Sequence, residues 1–225
     1  MTEADEPRIL TSVRDGIGHL RLNRPALRNA IDAATVHQVR EAIASFSAQG
    51  VWAAVLEAEG SIFCAGGDRA ELGTTLYSAS TLVEVVSSAP LFWAARIQGG
   101  AVGGGMALAL TCPLVYCTPA AWFDLPEVRH GFLPTAVLAY LEPLVGARRA
   151  LHLSLYPERI TAERAVELGL AEAVVAEDQI DAAIAQKLAP LAASPRIAKA
   201  AAIAWQSRWT SAEFRARRAL LMDLL

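Results

Sequence analysis

Apolar and polar positions along the chain follow two periods. In "RILTSVRDGIGHLRLN" they alternate on either side of Asp15-Gly16, which predicts two extended segments joined by a tight hairpin turn. In "NAIDAATVHQVREAIASFSAQG" Val36, Val39, Ile43 and Phe46 step by three and four, which predicts a helix that Gly50 can stop. "VWAAVLEAEG" is continuously apolar, as a strand covered on both faces would be. "SIFCAGGD" reads as a short strand ending in a glycine turn, "STLVEVVSSA" as a helix and "FWAARIQ" as a strand. The glycine run "GGAVGGG" follows, then a helix over about residues 104–111 and short strands in "PLVYC" and "AWFDL".

Helical patterns then take over. "PTAVLAYLEPLVG" and "ARRALHLSL" both read as helices, and Pro143 should end or kink the first. "TAERAVELGL" has a threonine cap and a glycine stop, and "AEAVV" is a strand stub. The last fifty residues read as mostly helical, with Trp205, Trp209, Phe214 and Leu220 to Leu225 forming an apolar face. That face suits either a trimer surface or packing onto its own domain. Loose β-β-α units through the first 130 residues, followed by helices, predict an α/β fold with a helical C-terminal part. The expected division is 1–190 and 191–225.

Composition narrows the classes. Of 225 residues, 54 % are hydrophobic, which supports a large core and argues against disorder. A net charge of −3 without a basic stripe gives no sign of nucleic-acid binding. The acidic start "MTEADEPR" does not resemble a signal peptide, and no long uncharged apolar run predicts a membrane span. Cys64, Cys112 and Cys117 lack metal-ligand spacing and read as buried, reduced thiols of a cytoplasmic protein.

The chemistry rests on glycine. No phosphate-loop or dinucleotide fingerprint is met, and neither Ser61 nor Ser154 sits in a hydrolase elbow. What remains is two glycine turns, "FCAGGD" and "GGAVGGG", each after an apolar strand. Glycine lets a ligand approach the backbone, and a helix start offers free N–H groups. Two such turns facing one point would make an oxyanion hole, and close helix–strand packing would use the same glycines.

"LNRPALRNAID", "FCAGGD", "GGAVGGG", "FDLPEVRHGFLP" and "ERITAERAVELGLAEAVV" resemble, in order and spacing, the crotonase (enoyl-CoA hydratase/isomerase) superfamily. The resemblance runs from about residue 8 to 205. It implies a ββα spiral core and an acyl-thioester substrate, on coenzyme A or an acyl carrier protein. No cofactor is implied beyond the coenzyme A or phosphopantetheine that the substrate carries, and a homotrimer or dimer of trimers is expected. By motif position the thioester oxygen would meet the amides of Gly67 and Gly104. Arg28 resembles the basic residue near the coenzyme A phosphates. Ala30, Ala65 and Asp68 would line the adenine and pantetheine path, and Gly103 and Pro126 join the substrate-binding set.

The acid–base residues depart from the pattern. Family hydratases carry two glutamates; here Glu127 keeps the second position and Ala107 stands at the first. One glutamate still permits a double-bond shift or assisted water transfer. Asp124 reads as a capping or solvent-facing residue. His130, where the family usually has a small or aliphatic residue, reads as structural or exposed. "PTAVLAYL" in place of a glycine-rich stretch is similar to the 3-methylglutaconyl-thioester hydratases and the polyketide β-branching dehydratases. A short segment after "CAGGD" and the lack of the family's usual closing segment bear on pocket closure and oligomer geometry. Enoyl-thioester decarboxylation and a catalytically silent thioester-binding subunit are the alternatives.

Overall fold

A computed structural model describes residues 6–71, 78–212 and 214–216. Ten strands and eight α-helices are defined among them. The predicted hairpin is β1 (Ile9–Arg14) and β2 (Ile17–Leu22), paired antiparallel with Arg14 opposite Ile17. Its two-residue turn places Asp15 (φ 51°) and Gly16 (φ 74°) in left-handed conformation, the geometry that matches strand twist. α1 (Ala33–Ala48) follows, capped by Asp32, which accepts from Thr35 N.

A three-part repeat then begins. β3 (Ala53–Ala58), β4 (Ile62–Cys64) and α2 (Ser78–Ser88) form one unit. The next is β5 (Phe92–Ile97), β6 (Gly100–Val102) and α3 (Gly104–Leu110). The third starts with β7 (Leu114–Cys117) and β8 (Trp122–Asp124), and its helical part is α4 (Thr135–Val145) and α5 (Ala147–Leu155). The chain closes with β9 (Ile160–Thr161), α6 (Ala162–Glu167), β10 (Ala173–Val174), α7 (Ile180–Ala192) and α8 (Pro195–Thr210).

The first strand of each unit joins a six-stranded sheet, ordered β1-β2-β3-β5-β7-β10, and the second joins a four-stranded sheet, ordered β4-β6-β8-β9. Each turn of the chain thus adds one strand to each sheet and one helical layer: this is the expected ββα spiral. β3 is buried along its whole length, as its apolar run implied. One apolar cluster lies among α1–α6 and both sheets; a second, under α7 and α8, covers the other face of the large sheet.

Several expectations change. "GAV" within the glycine run is strand β6, and "IT" is strand β9. Pro143 lies inside α4 and the helix ends two residues later at Val145: in the last turn its missing N–H costs a single backbone bond. The expected boundary at residue 190 falls within α7. Of the two uses left open for the C-terminal aromatics, Trp209 and Phe214 take the second, packing onto their own domain. They are buried against Tyr140, with ring centroids 5.0 and 5.3 Å away, because α8 returns to the core beside α4. Leu220 to Leu225 lie outside the described residues. All three cysteines are free and buried, and burial pushes their thiols up to about 12. Among the described residues no helix is long and apolar enough to cross a membrane, and no cluster of His, Cys, Asp and Glu suits a metal ion.

Candidate active site

The small sheet explains how distant motifs meet. β4, β6 and β8 run parallel and adjacent, so the chain leaves all three at the same edge. In parallel α/β sheets that carboxyl edge is where ligands are bound. Here it carries the turn at 65–68, the turn at 103–104 and the segment 125–127.

Gly67 forms a single parallel bridge with Ile31. Ile31 N donates to Gly66 O (2.8 Å) and Asp68 N to Ile31 O (2.9 Å), so the amide of Gly67 itself points the other way. Gly104 opens α3 after Gly103, whose backbone (φ 52°, ψ −120°) is open to glycine and few other residues. Neither amide has a hydrogen-bond partner among the described residues. The two turns are close: a methyl built on Gly104 would lie 3.6 Å from Gly66 Cα and 3.9 Å from Gly67 N.

Glu127 belongs to a 3-10 helix, Pro126–His130, with Pro126 at its first position. Its carboxyl reaches the second glycine turn: a methyl built on Gly103 would come within 2.5 Å of Glu127 Oε1. Its Oε2 is buried without a hydrogen-bond partner among the described residues. Burial raises this carboxyl to about 7, and the nearby charge of Asp124 adds to the rise against the pull of its own backbone amide.

Asp124, read as capping or solvent-facing, is not solvent-facing, and the 3-10 helix that follows has Leu125 as its N-cap with no side-chain bond. Asp124 is buried, because β8 pairs with β6 and its carbonyl accepts from Gly103 N (2.9 Å). Arg129 Nη1 donates to its Oδ2 at 3.3 Å. His130 is exposed, as expected, and its Nε2 lies 3.0 Å from Arg69 Nη2. Ala107 is fully buried in the apolar cluster.

The binding candidates gather on the neighbouring loop. Ala65 N donates to Arg28 O (3.0 Å), and the Arg28 side chain is exposed. Ala30 O accepts from Arg24 Nη1 (2.7 Å). The Asp68 carboxylate is engaged by Arg24 Nη1 (2.9 Å) and Ala70 N (3.0 Å), so it holds the Gly67 turn in place. Arg24 also meets Asp32 (3.2 Å), which meets Arg8 (2.9 Å). Burial alone would raise Asp32, but the hydrogen bonds from Thr35 and the two arginines hold it below the usual carboxylate range. Asn29 bridges the loop to the small sheet, donating to Glu59 O and Ile62 O at 2.8 Å each. The positioning roles of Arg24, Asn29 and Arg129 carry no signature in the sequence, since each depends on a fold-level contact.

Two free amides beside a poorly solvated carboxyl are equipment for acid–base chemistry on a carbonyl that gathers negative charge. Fold and candidate site therefore have the form of an α/β enzyme, with the free amides and the carboxyl gathered at the edge where the parallel strands β4, β6 and β8 end. The chain belongs to the enoyl-CoA hydratase/isomerase family, whose model matches residues 12–222. It is 32 % identical over 188 residues to the probable enoyl-CoA hydratase echA6 of Mycobacterium leprae, covering 79 % of this chain and 76 % of the relative. It is 30 % identical over 209 residues to 4-chlorobenzoyl coenzyme A dehalogenase-2 of Arthrobacter sp, covering 87 % and 76 %. Among solved structures, an enoyl-CoA hydratase of Mycobacterium smegmatis superposes with a TM-score of 0.83 at 27 % identity, over 97 % of this chain and 91 % of that one.

Proposed function

We propose that this protein moves a proton on an enoyl-CoA thioester with Glu127 as its single acid–base group. The carrying observation is the placement of the Glu127 carboxyl against Gly103, one residue from the free amide of Gly104. The thioester oxygen accepts from the amides of Gly67 and Gly104. As a carbon next to the thioester, or conjugated with it, loses its proton to Glu127, negative charge moves onto that oxygen and both N–H bonds strengthen. A carboxyl at about 7 is matched to taking and returning a proton near neutral pH. Arg28, Ala30 and Ala65 flank the path by which the coenzyme A portion enters.

Ala107 bears on the reaction type. Its side chain is buried among apolar residues and supplies no second carboxyl to hold water. One carboxyl that takes a proton from one carbon and returns it to another shifts a double bond without changing mass. The relatives named as hydratases and dehalogenases share acyl-CoA chemistry rather than one reaction, which leaves this choice to the chain's own residues.

The test is incubation with a panel of enoyl-CoA esters in ordinary water, read by mass spectrometry and by absorbance of the conjugated thioester. A double-bond shift gives an isomer of unchanged mass with altered absorbance, and no hydration product. A gain of 18 mass units assigns hydration instead, and a loss of 44 from a carboxylated ester assigns decarboxylation. Glu127→Gln is expected to lower turnover about 10²–10⁴-fold while still binding substrate. Undiminished turnover in that variant overturns the assignment.

A further inference from the structure

Away from the glycine turns, the α4–α5 corner and the strand β9 enclose an open cavity of about 620 Å³. That volume lies in the range of small-molecule sites, about 300–1,000 Å³. Its floor is apolar, with Leu153 and Ile160 buried beneath it. Its walls are cationic: Arg148, Arg149, Arg159 and Arg164 line it together with His152, and Glu158 is the one acidic residue among the lining.

The arginines differ in how they are held. Arg159 lies over the Trp122 ring, 3.9 Å from its centroid, which fixes the guanidinium without neutralising it. Arg164 pairs with Glu167 at 2.6 Å. Arg148 and Arg149 have no carboxylate partner among the described residues. Gly146 caps α5 without a side-chain bond, so the first amides of α5 add to the same positive field. Like charges gathered around one concavity repel one another, and a multiply charged anion relieves that repulsion. Arginine's planar fork matches phosphate oxygens, and several forks around one cavity suit more than one phosphate charge.

We propose that this cavity binds a phosphorylated small molecule, with its phosphate groups on Arg148, Arg149 and Arg159 and its organic body on the apolar floor. Two sources carry that chemistry: a free phosphorylated metabolite, or the phosphates of a coenzyme A ester. The site is separate from the glycine turns. Arg129 stands between them, donating to Pro157 O (2.7 Å) on the cavity side and to Asp124 Oδ2 on the other.

The experiment uses the full chain with ADP as probe, titrated calorimetrically at 150 mM sodium chloride. Saturable binding is expected, weakened at least tenfold in the Arg148→Gln, Arg149→Gln double variant and unchanged in Glu127→Gln. ADP is also expected to change tryptophan fluorescence, and Trp122→Phe should remove that change while leaving calorimetric binding in place. Both arginines are exposed, and circular dichroism checks that the double variant keeps its fold. The source is read from KM. A rise for acyl-CoA but not for the matching acyl-pantetheine identifies coenzyme A phosphates, and an unchanged KM identifies a free metabolite. Absence of ADP binding, or equal binding by the double variant, overturns the proposal; neither result bears on the role of Glu127.

Discussion

The poor solvation that suits Glu127 to the proposed proton transfer also costs the fold. The folded-state Glu127 carboxyl sits near 7, above the usual 4.5 of an unfolded glutamate. Stability from this residue is therefore full below about 4.5 and is lost as pH rises through about 7. Glu127→Gln, which mimics the protonated form, is expected to be the more stable protein at pH 8, by about 1–3 kcal/mol, and nearly equal to the parent at pH 5. Urea unfolding at the two pH values checks this. A gap of the same size at both would assign the effect to packing instead. Asp124 acts on the same carboxyl from outside the chemistry. Removing its charge in Asp124→Asn is expected to move the acidic limb of the rate profile to lower pH, and Arg129→Gln, which leaves Asp124 unopposed, to higher pH. The rate of the true substrate against pH reads both. Gly67, Gly104 and Glu127 are legible in the sequence as candidates because each sits in a short motif. Asp124 could not be assigned its place there: its burial follows from the pairing of β8 with β6, which no local pattern announces.

At the scale of elements, legibility followed the strength of the local signal. The hairpin was readable because Asp15-Gly16 states its own turn type, and α1 because four apolar residues mark one face. β6 and β9 were not, since β6 lies inside the glycine run and β9 runs into the Thr161 cap of α6, so turn and cap signals mask the strand. The crossing of α3 over β4 has an equally local requirement. A methyl on Gly105 would collide with Cys64 O and come within 2.8 Å of Cys64 Cβ. Gly105→Ala is expected to destabilise the fold by about 1–3 kcal/mol. It should also depress turnover beyond what lost stability explains, because α3 carries the Gly104 amide. Activity measured well below the unfolding transition, beside the melting temperature, separates the two effects.

For the molecule as a whole, the C-terminal aromatics posed a question that patterning leaves open. An apolar helix face shows that something covers it, not what. Here Trp209, Phe214 and Tyr140 cover one another, and Trp205 sets its ring edge-on to Trp209 at 5.8 Å. Trp209→Ala is expected to cost about 3–5 kcal/mol, seen as a fall in the urea midpoint. An unchanged midpoint would show that α8 stands apart from the core.

One bond of that helix reaches further. Trp205 Nε1 donates to Thr111 O, the cap of α3, across 94 residues of chain. A ribosome adding roughly 5–20 residues per second needs about 5–20 s to cover that interval. The emerging polypeptide therefore holds both glycine turns and Glu127 before it holds the tryptophan that fastens the far end of α3. The helix that presents Gly104 is secured only once Trp205 has been added.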